Sequence, residues 1–86
     1  MTSDATYNAA VADLERILAA NRSRLDPATV RIVEESLATI DRAIADARDA
    51  IQRDSANAYL NERIAAKMRQ KLTLLRLATR AIAAQT

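Results

Sequence analysis

Between residues 30 and 51 the apolar side chains Val30, Val33, Leu37, Ile40, Ile44, Ala47 and Ile51 recur in alternating steps of three and four. Only an α-helix gathers that spacing onto one face, and the strict alternation is the seam of helices packed side by side. Composition closes the other options. The 86 residues include no Gly, Cys, His, Phe or Trp, and the one proline is Pro27. β-Hairpins draw on glycine for their tight turns, whereas the Ala, Leu and Ile that dominate here are comfortable in helices. The sequence predicts an all-α fold in one small domain over residues 1–86, near the size where partner chains often supply stability.

Three helices are expected. The first covers residues 4–22, with Tyr7, Val11, Leu14, Ile17 and Leu18 on one face and Ser3 or Asp4 as its cap. Asp26-Pro27 opens the second: Asp is a good N-cap, and proline at the first helical position forfeits no helical hydrogen bond. This helix spans residues 27–53. Asp54-Ser55-Ala56-Asn57 then breaks the pattern, and Asn57 caps a third helix over residues 57–84 carrying Leu60, Ile64, Met68, Leu72, Leu75 and Ile82. Asn21 has two readings: a polar residue in the helical seam that fixes register, or the end of the first helix.

Short connections make neighbouring helices antiparallel, so facing residues keep a nearly constant sum of residue numbers. Ile51/Leu60, Ala47/Ile64, Ile44/Met68, Ile40/Leu72, Leu37/Leu75 and Val30/Ile82 satisfy this for helices 2 and 3. Leu18/Val33, Leu14/Leu37, Val11/Ile40 and Tyr7/Ile44 satisfy it for helices 1 and 2. The result is an up-down-up three-helix bundle, a long hairpin with a shorter N-terminal helix. Charge fits the pairing. Residues 26–54 are net −3, residues 55–86 net +5, and Asp49/Arg63, Asp41/Lys71 and Glu35/Arg76 come opposite one another. Helix 1 is too short to cover the hairpin tip, which leaves Ile51, Leu60 and Ile64 as candidate self-association residues. Leu74 and Leu77 widen the apolar face of helix 3.

Little in the chain can do chemistry. Without His or Cys the usual zinc ligands and the commonest general base are missing. Glu34, Glu35 and Asp41 fall outside the apolar stripe, unlike the inward carboxylates of di-metal bundles. No catalysis, metal or cofactor is expected. The longest uncharged stretch, residues 5–12, is far short of the roughly 20 residues that span a membrane, so the chain as given reads as soluble. A rival reading is a nucleic-acid-binding bundle using Arg63, Lys67, Lys71, Arg76 and Arg80 of helix 3. Against it stand the acids of helix 2 and the presence of only two aromatic residues, Tyr7 and Tyr59.

Specific words in the sequence add context. Leu25-Asp26-Pro27-Ala28-Thr29-Val30-Arg31, Glu34-Glu35-Ser36-Leu37-Ala38-Thr39-Ile40-Asp41-Arg42-Ala43-Ile44, Asp54-Ser55-Ala56-Asn57-Ala58-Tyr59-Leu60 and Met68-Arg69-Gln70-Lys71-Leu72-Thr73-Leu74-Leu75-Arg76 stand in order along the chain. Together they resemble the C-terminal helical region of bacterial zinc-finger anti-sigma factors. At Ser55 and Ala58 relatives commonly have Pro. The resemblance implies an extracytoplasmic (periplasmic) module of a membrane-bound transcription regulator, whose Cys/His finger and membrane helix lie outside these residues. It assigns no sigma-binding residue here. The expected function is therefore a non-enzymatic helical interaction module, with a homodimer as the expected assembly. A further protein partner is left open, and membrane attachment would come only through segments absent from this chain.

Overall fold

The structure is a computed structural model that describes residues 2–84. Three α-helices follow one another, α1 (Thr2–Ala20), α2 (Pro27–Arg53) and α3 (Ala58–Ala84), with a single 3-10 turn at Arg22–Arg24. No strand occurs among the described residues. The fold is an all-α helical bundle.

Each joint follows from its residues. Asp26 caps α2 by accepting hydrogen bonds from the N–H groups of Ala28 (3.1 Å) and Thr29 (3.4 Å), with Pro27 in the first turn. Asn57 does the same for α3, its Oδ1 accepting from Leu60 N–H at 3.0 Å while its Nδ2 donates to Asp54 Oδ2 at 3.0 Å. The α2–α3 turn is thus held by its own two polar side chains. The start of α1 differs from expectation: the helix already includes Ser3 and Asp4, and the proposed cap falls outside the described side chains. Its end comes at Ala20, and Asn21 closes it, donating from Nδ2 to Ile17 O at 2.8 Å and from its backbone N–H to Leu18 O at 3.2 Å. Asn21 therefore terminates the helix.

Every seam residue of α2 from Val30 to Ala47 is buried. The core is densest where all three helices overlap, joining Val11 and Leu18 of α1, Val30, Val33 and Leu37 of α2, and Leu75, Ala78 and Ile82 of α3. Leu75, with no exposed surface, is its centre. Leu25, in the α1–α2 connection, belongs to the same core and is 7% exposed. It precedes the Asp26 cap, and Val30 is the fourth residue of the helix, so the two occupy the positions of a hydrophobic staple that fixes how the chain enters α2.

The backbone of α1 approaches α3 more closely than α2, although the stripe registers with α2. Two of the α3 residues in or against the core, Ala78 and Ala81, are small, and small side chains let two helices come near one another. Side chains of α1 and α2 still meet in the common core. Ile17, expected on the packed face beside Leu18, is 44% exposed, because adjacent residues point about 100° apart on a helix. The bundle is 46 Å long with a flattened cross-section of 26 × 15 Å.

Candidate interaction surfaces

Three regions of this bundle have side chains placed to do more than fill the core. At the hairpin tip, Ile51, Leu60 and Ile64 are each half-buried, and neighbouring Tyr59 is 67% exposed. The tip is thus partly covered by its own residues.

The second region is an open groove of about 790 Å³ between α2 and α3. Its floor includes Ile40, Ala43 and Leu74, and its rims carry Ile32 and Leu77, which are 63% and 53% exposed. Glu35 stands on the α2 wall and Lys67 on the α3 wall. Leu74 and Leu77 stood out in the sequence as an off-stripe pair. Ile32 did not, because a lone apolar residue on a polar face carries no periodic signal.

The third region is a polar cluster where the three helices meet, its lysine largely covered and its two carboxylates about half exposed. Lys71, only 13% exposed at its side chain, directs its ammonium between α1 and α2, 2.7 Å from Asp41 Oδ1 and 3.5 Å from Glu15 Oε2. Burial works to lower the Lys71 pKa. The Asp41 hydrogen bond and the charges of Asp41 and Glu15 outweigh it, holding the ammonium above the ordinary lysine value. The Tyr7 hydroxyl is buried without a hydrogen-bond partner among the described residues. Burial raises its pKa, the Lys71 charge works to lower it, and Asp41 adds to the rise. Sequence pairing found Asp41/Lys71 but not Glu15 or Tyr7, because the α1–α3 contact was not foreseen.

The other expected ion pairs do not form. Asp49 binds Arg53 on its own helix at 2.9 Å, and an i,i+4 neighbour is simply nearer than Arg63 across the hairpin. Glu35 and Arg76 make no ion pair, whereas Glu34 binds Arg22 at 2.9 Å and ties the 3-10 turn to α2. The five bases considered for nucleic acid are divided. Arg63, Arg76 and Arg80 are exposed, Lys67 stands in the groove within 3.3 Å of Gln70 Oε1, and Lys71 is engaged with Asp41 and Glu15.

Among the described residues, no group of three or more His, Cys, Asp or Glu side chains could hold a metal ion. No helix there is long and apolar enough to cross a membrane. Comparison with family models, curated proteins and solved structures finds no match to this chain.

Proposed function

We propose that this chain is a non-enzymatic helical interaction module that self-associates as a homodimer, within a membrane-bound regulator of the anti-sigma kind. The observation that carries the interaction reading is apolar surface the bundle does not cover: Ile32, Tyr59 and Leu77 are each more than half exposed, and Ile51, Leu60 and Ile64 are half covered. Ile32 and Leu77 border one groove, and a contiguous apolar patch with polar rims marks an association site. A second copy is the occupant on this reading, because a twofold contact brings the same uncovered residues of both copies together and covers them twice over.

The regulator part of the reading is supported by the resemblance alone, whose four words run in order over nearly the whole chain. Two of them hold the caps of α2 and α3, at Asp26-Pro27 and at Asp54 to Asn57. On this reading the module works outside the cytoplasm and touches no sigma factor itself. The test is the coding sequence upstream: a Cys/His finger followed by an apolar segment of roughly 20 residues is expected. A continuous coding sequence holding neither would overturn the anti-sigma context.

Arg63, Arg76 and Arg80, exposed and without ion-pair partners among the described residues, favour a second reading as a nucleic-acid-binding bundle. Salt separates the two. Binding through six or more phosphate contacts should weaken about a thousandfold between 50 and 200 mM salt. A dimer with an apolar interface should sediment almost unchanged over that range. Retention of mixed DNA or RNA at low salt, with a wild type that stays monomeric at hundreds of micromolar, would exchange the leading reading for this one.

A further inference from the structure

From Arg63 to its end at Ala84, α3 carries six bases and no acid. Lys71 is engaged with Asp41 and Glu15, while Arg63, Lys67, Arg69, Arg76 and Arg80 have no ion-pair partner among the described residues. The acids of α2 are mostly spoken for: Glu34 is held by Arg22, Asp41 by Lys71 and Asp49 by Arg53, which leaves Glu35 and Asp46. Apolar side chains share the same surface. Tyr59 and Leu77, both more than half exposed, stand about five full turns apart on α3 and so point the same way. Arg63, Lys67, Arg69 and Arg80 fall within about a quarter turn of that line, with Glu62 the one acid of α3 beside it. Ile32, also exposed, borders the groove with Leu77 from the α2 side.

We propose that this face of α3 docks onto a bilayer of anionic phospholipid. The helix lies along the membrane plane, with its cations among the lipid phosphates and Tyr59, Leu77 and Ile32 at the boundary between headgroups and acyl chains. Peripheral helices bind in this way, adding attraction to anionic lipid to the burial of a few apolar side chains. Tyrosine suits that boundary, because its ring is apolar and its tip polar. Charge decides the occupant. A second copy can cover Leu77 and Ile32, but it brings the same unpaired bases and no phosphate for them. Nucleic acid brings phosphate, yet its backbone offers nothing to Leu77 and Ile32, and Tyr59 is the one aromatic residue exposed for stacking. An anionic bilayer meets both needs. The proposal goes beyond self-association: bilayer and second copy compete for Leu77 and Ile32, so the lipid-bound form is the monomer. The sequence alone leaves membrane attachment to other segments, since the joint exposure of Ile32, Tyr59 and Leu77 shows only in the folded chain.

The test uses vesicles of phosphatidylcholine alone and vesicles in which one lipid in three is phosphatidylglycerol. At low salt the wild-type chain should float with the anionic vesicles and stay behind with the neutral ones. Arg63→Gln/Arg69→Gln/Arg80→Gln should weaken binding about a hundredfold, since each base near a charged surface contributes about a factor of five. Arg24→Gln/Arg42→Gln/Arg48→Gln removes the same charge from exposed positions elsewhere and should cost no more than about fivefold. Leu77→Gln should weaken binding about tenfold. All of these positions are exposed, so each variant should keep the wild-type thermal transition. The chain contains no Trp, so Tyr59→Trp supplies a single reporter, whose emission should shift to the blue with the anionic vesicles. No binding to anionic vesicles, equal losses in the two triple variants, or an unshifted Tyr59→Trp spectrum would each overturn the proposal. So would mixed DNA or RNA that binds more tightly than the vesicles at the same salt and is lost in Arg63→Gln/Arg69→Gln/Arg80→Gln but not in Leu77→Gln, which would assign the face to nucleic acid.

Discussion

The Lys71 ammonium reaches from α3 to Asp41 of α2, closing a 2.7 Å hydrogen bond in a position where only 13% of the lysine side chain meets solvent. Glu15 of α1 stands 3.5 Å away on the other side. One cation thereby binds all three helices to each other at mid-bundle, and the three-way contact gives the two partners unequal importance. Asp41→Ala strands a half-buried ammonium beside the more distant Glu15, and should cost about 1–2 kcal/mol. Lys71→Met instead fills the same space with apolar atoms and leaves two carboxylates that can hydrate, so its cost should stay below about 1 kcal/mol. Urea unfolding with an unchanged slope would measure both. Equal losses for the two variants would show that the pair acts as an ordinary surface bridge.

Alkaline pH should loosen the same cluster. The Lys71 and Tyr7 pKa values are both raised in the folded chain above their ordinary values of 10.5 and 10.0. A group whose folded value is raised contributes stability that is fully present below the unfolded pKa and is lost as pH rises through the folded pKa. Melting temperature should therefore hold from pH 8 to about pH 10 and fall above it, and the combined variant Tyr7→Phe/Lys71→Met should flatten that fall. A decline of the same steepness in the double variant would place its origin elsewhere.

Tyr7 packs its ring against the core and buries its hydroxyl. Its hydroxyl is buried and has no hydrogen-bond partner among the described residues, close to but not bonded with the Lys71 cluster. Leaving a buried polar group unpaired costs about 1–3 kcal/mol, so Tyr7→Phe should leave stability unchanged or raise it by up to about 1 kcal/mol. Thermal melts at neutral pH would show it. A clear loss of stability would mean that the hydroxyl is solvated or bonded in solution.

The hairpin was readable from the sequence because its signals are periodic and local. The α2 seam from Val30 to Ala47 is buried throughout, and Asp26 and Asn57 cap the helices they open. What could not be read depends on backbone approach or on single residues. Numerical register matched α1 to α2, yet the backbone of α1 lies closer to α3, a choice that residue spacing does not encode. That approach alone brings Glu15 and Tyr7 to Lys71. The groove was half legible: Leu74 and Leu77 break the helix 3 stripe, but Ile32 stands by itself among polar residues and shows its meaning only beside them.

Asn21 illustrates how a seam position can belong to a helix end. The residue is half-buried, which an apolar replacement would exploit, but its amide donates to Ile17 O at 2.8 Å and satisfies a carbonyl at the end of α1. Such a bond contributes about 0.5–1.5 kcal/mol net, comparable to what partial burial of a leucine would return. Asn21→Leu should therefore produce no gain in melting temperature. A rise of several degrees would identify the position as seam and the amide bond as incidental.

Leu25 carries the strongest prediction, because it stabilises a connection and not a helix. It is 7% exposed, it shares the core with Val30, and it stands immediately before the Asp26 cap. Truncating it removes a buried leucine from the core, for a loss of about 2–4 kcal/mol. It also frees the chain entering α2, so the Arg22–Glu34 bridge at 2.9 Å should lose its geometry as well. A lost cap, by contrast, costs typically about 1 kcal/mol, so Asp26→Ala should be milder than Leu25→Ala. Denaturant unfolding of the two variants side by side gives the ranking. Should Asp26→Ala prove the more damaging, the α2 start would be held by its cap hydrogen bonds and not by the packing of Leu25 with Val30.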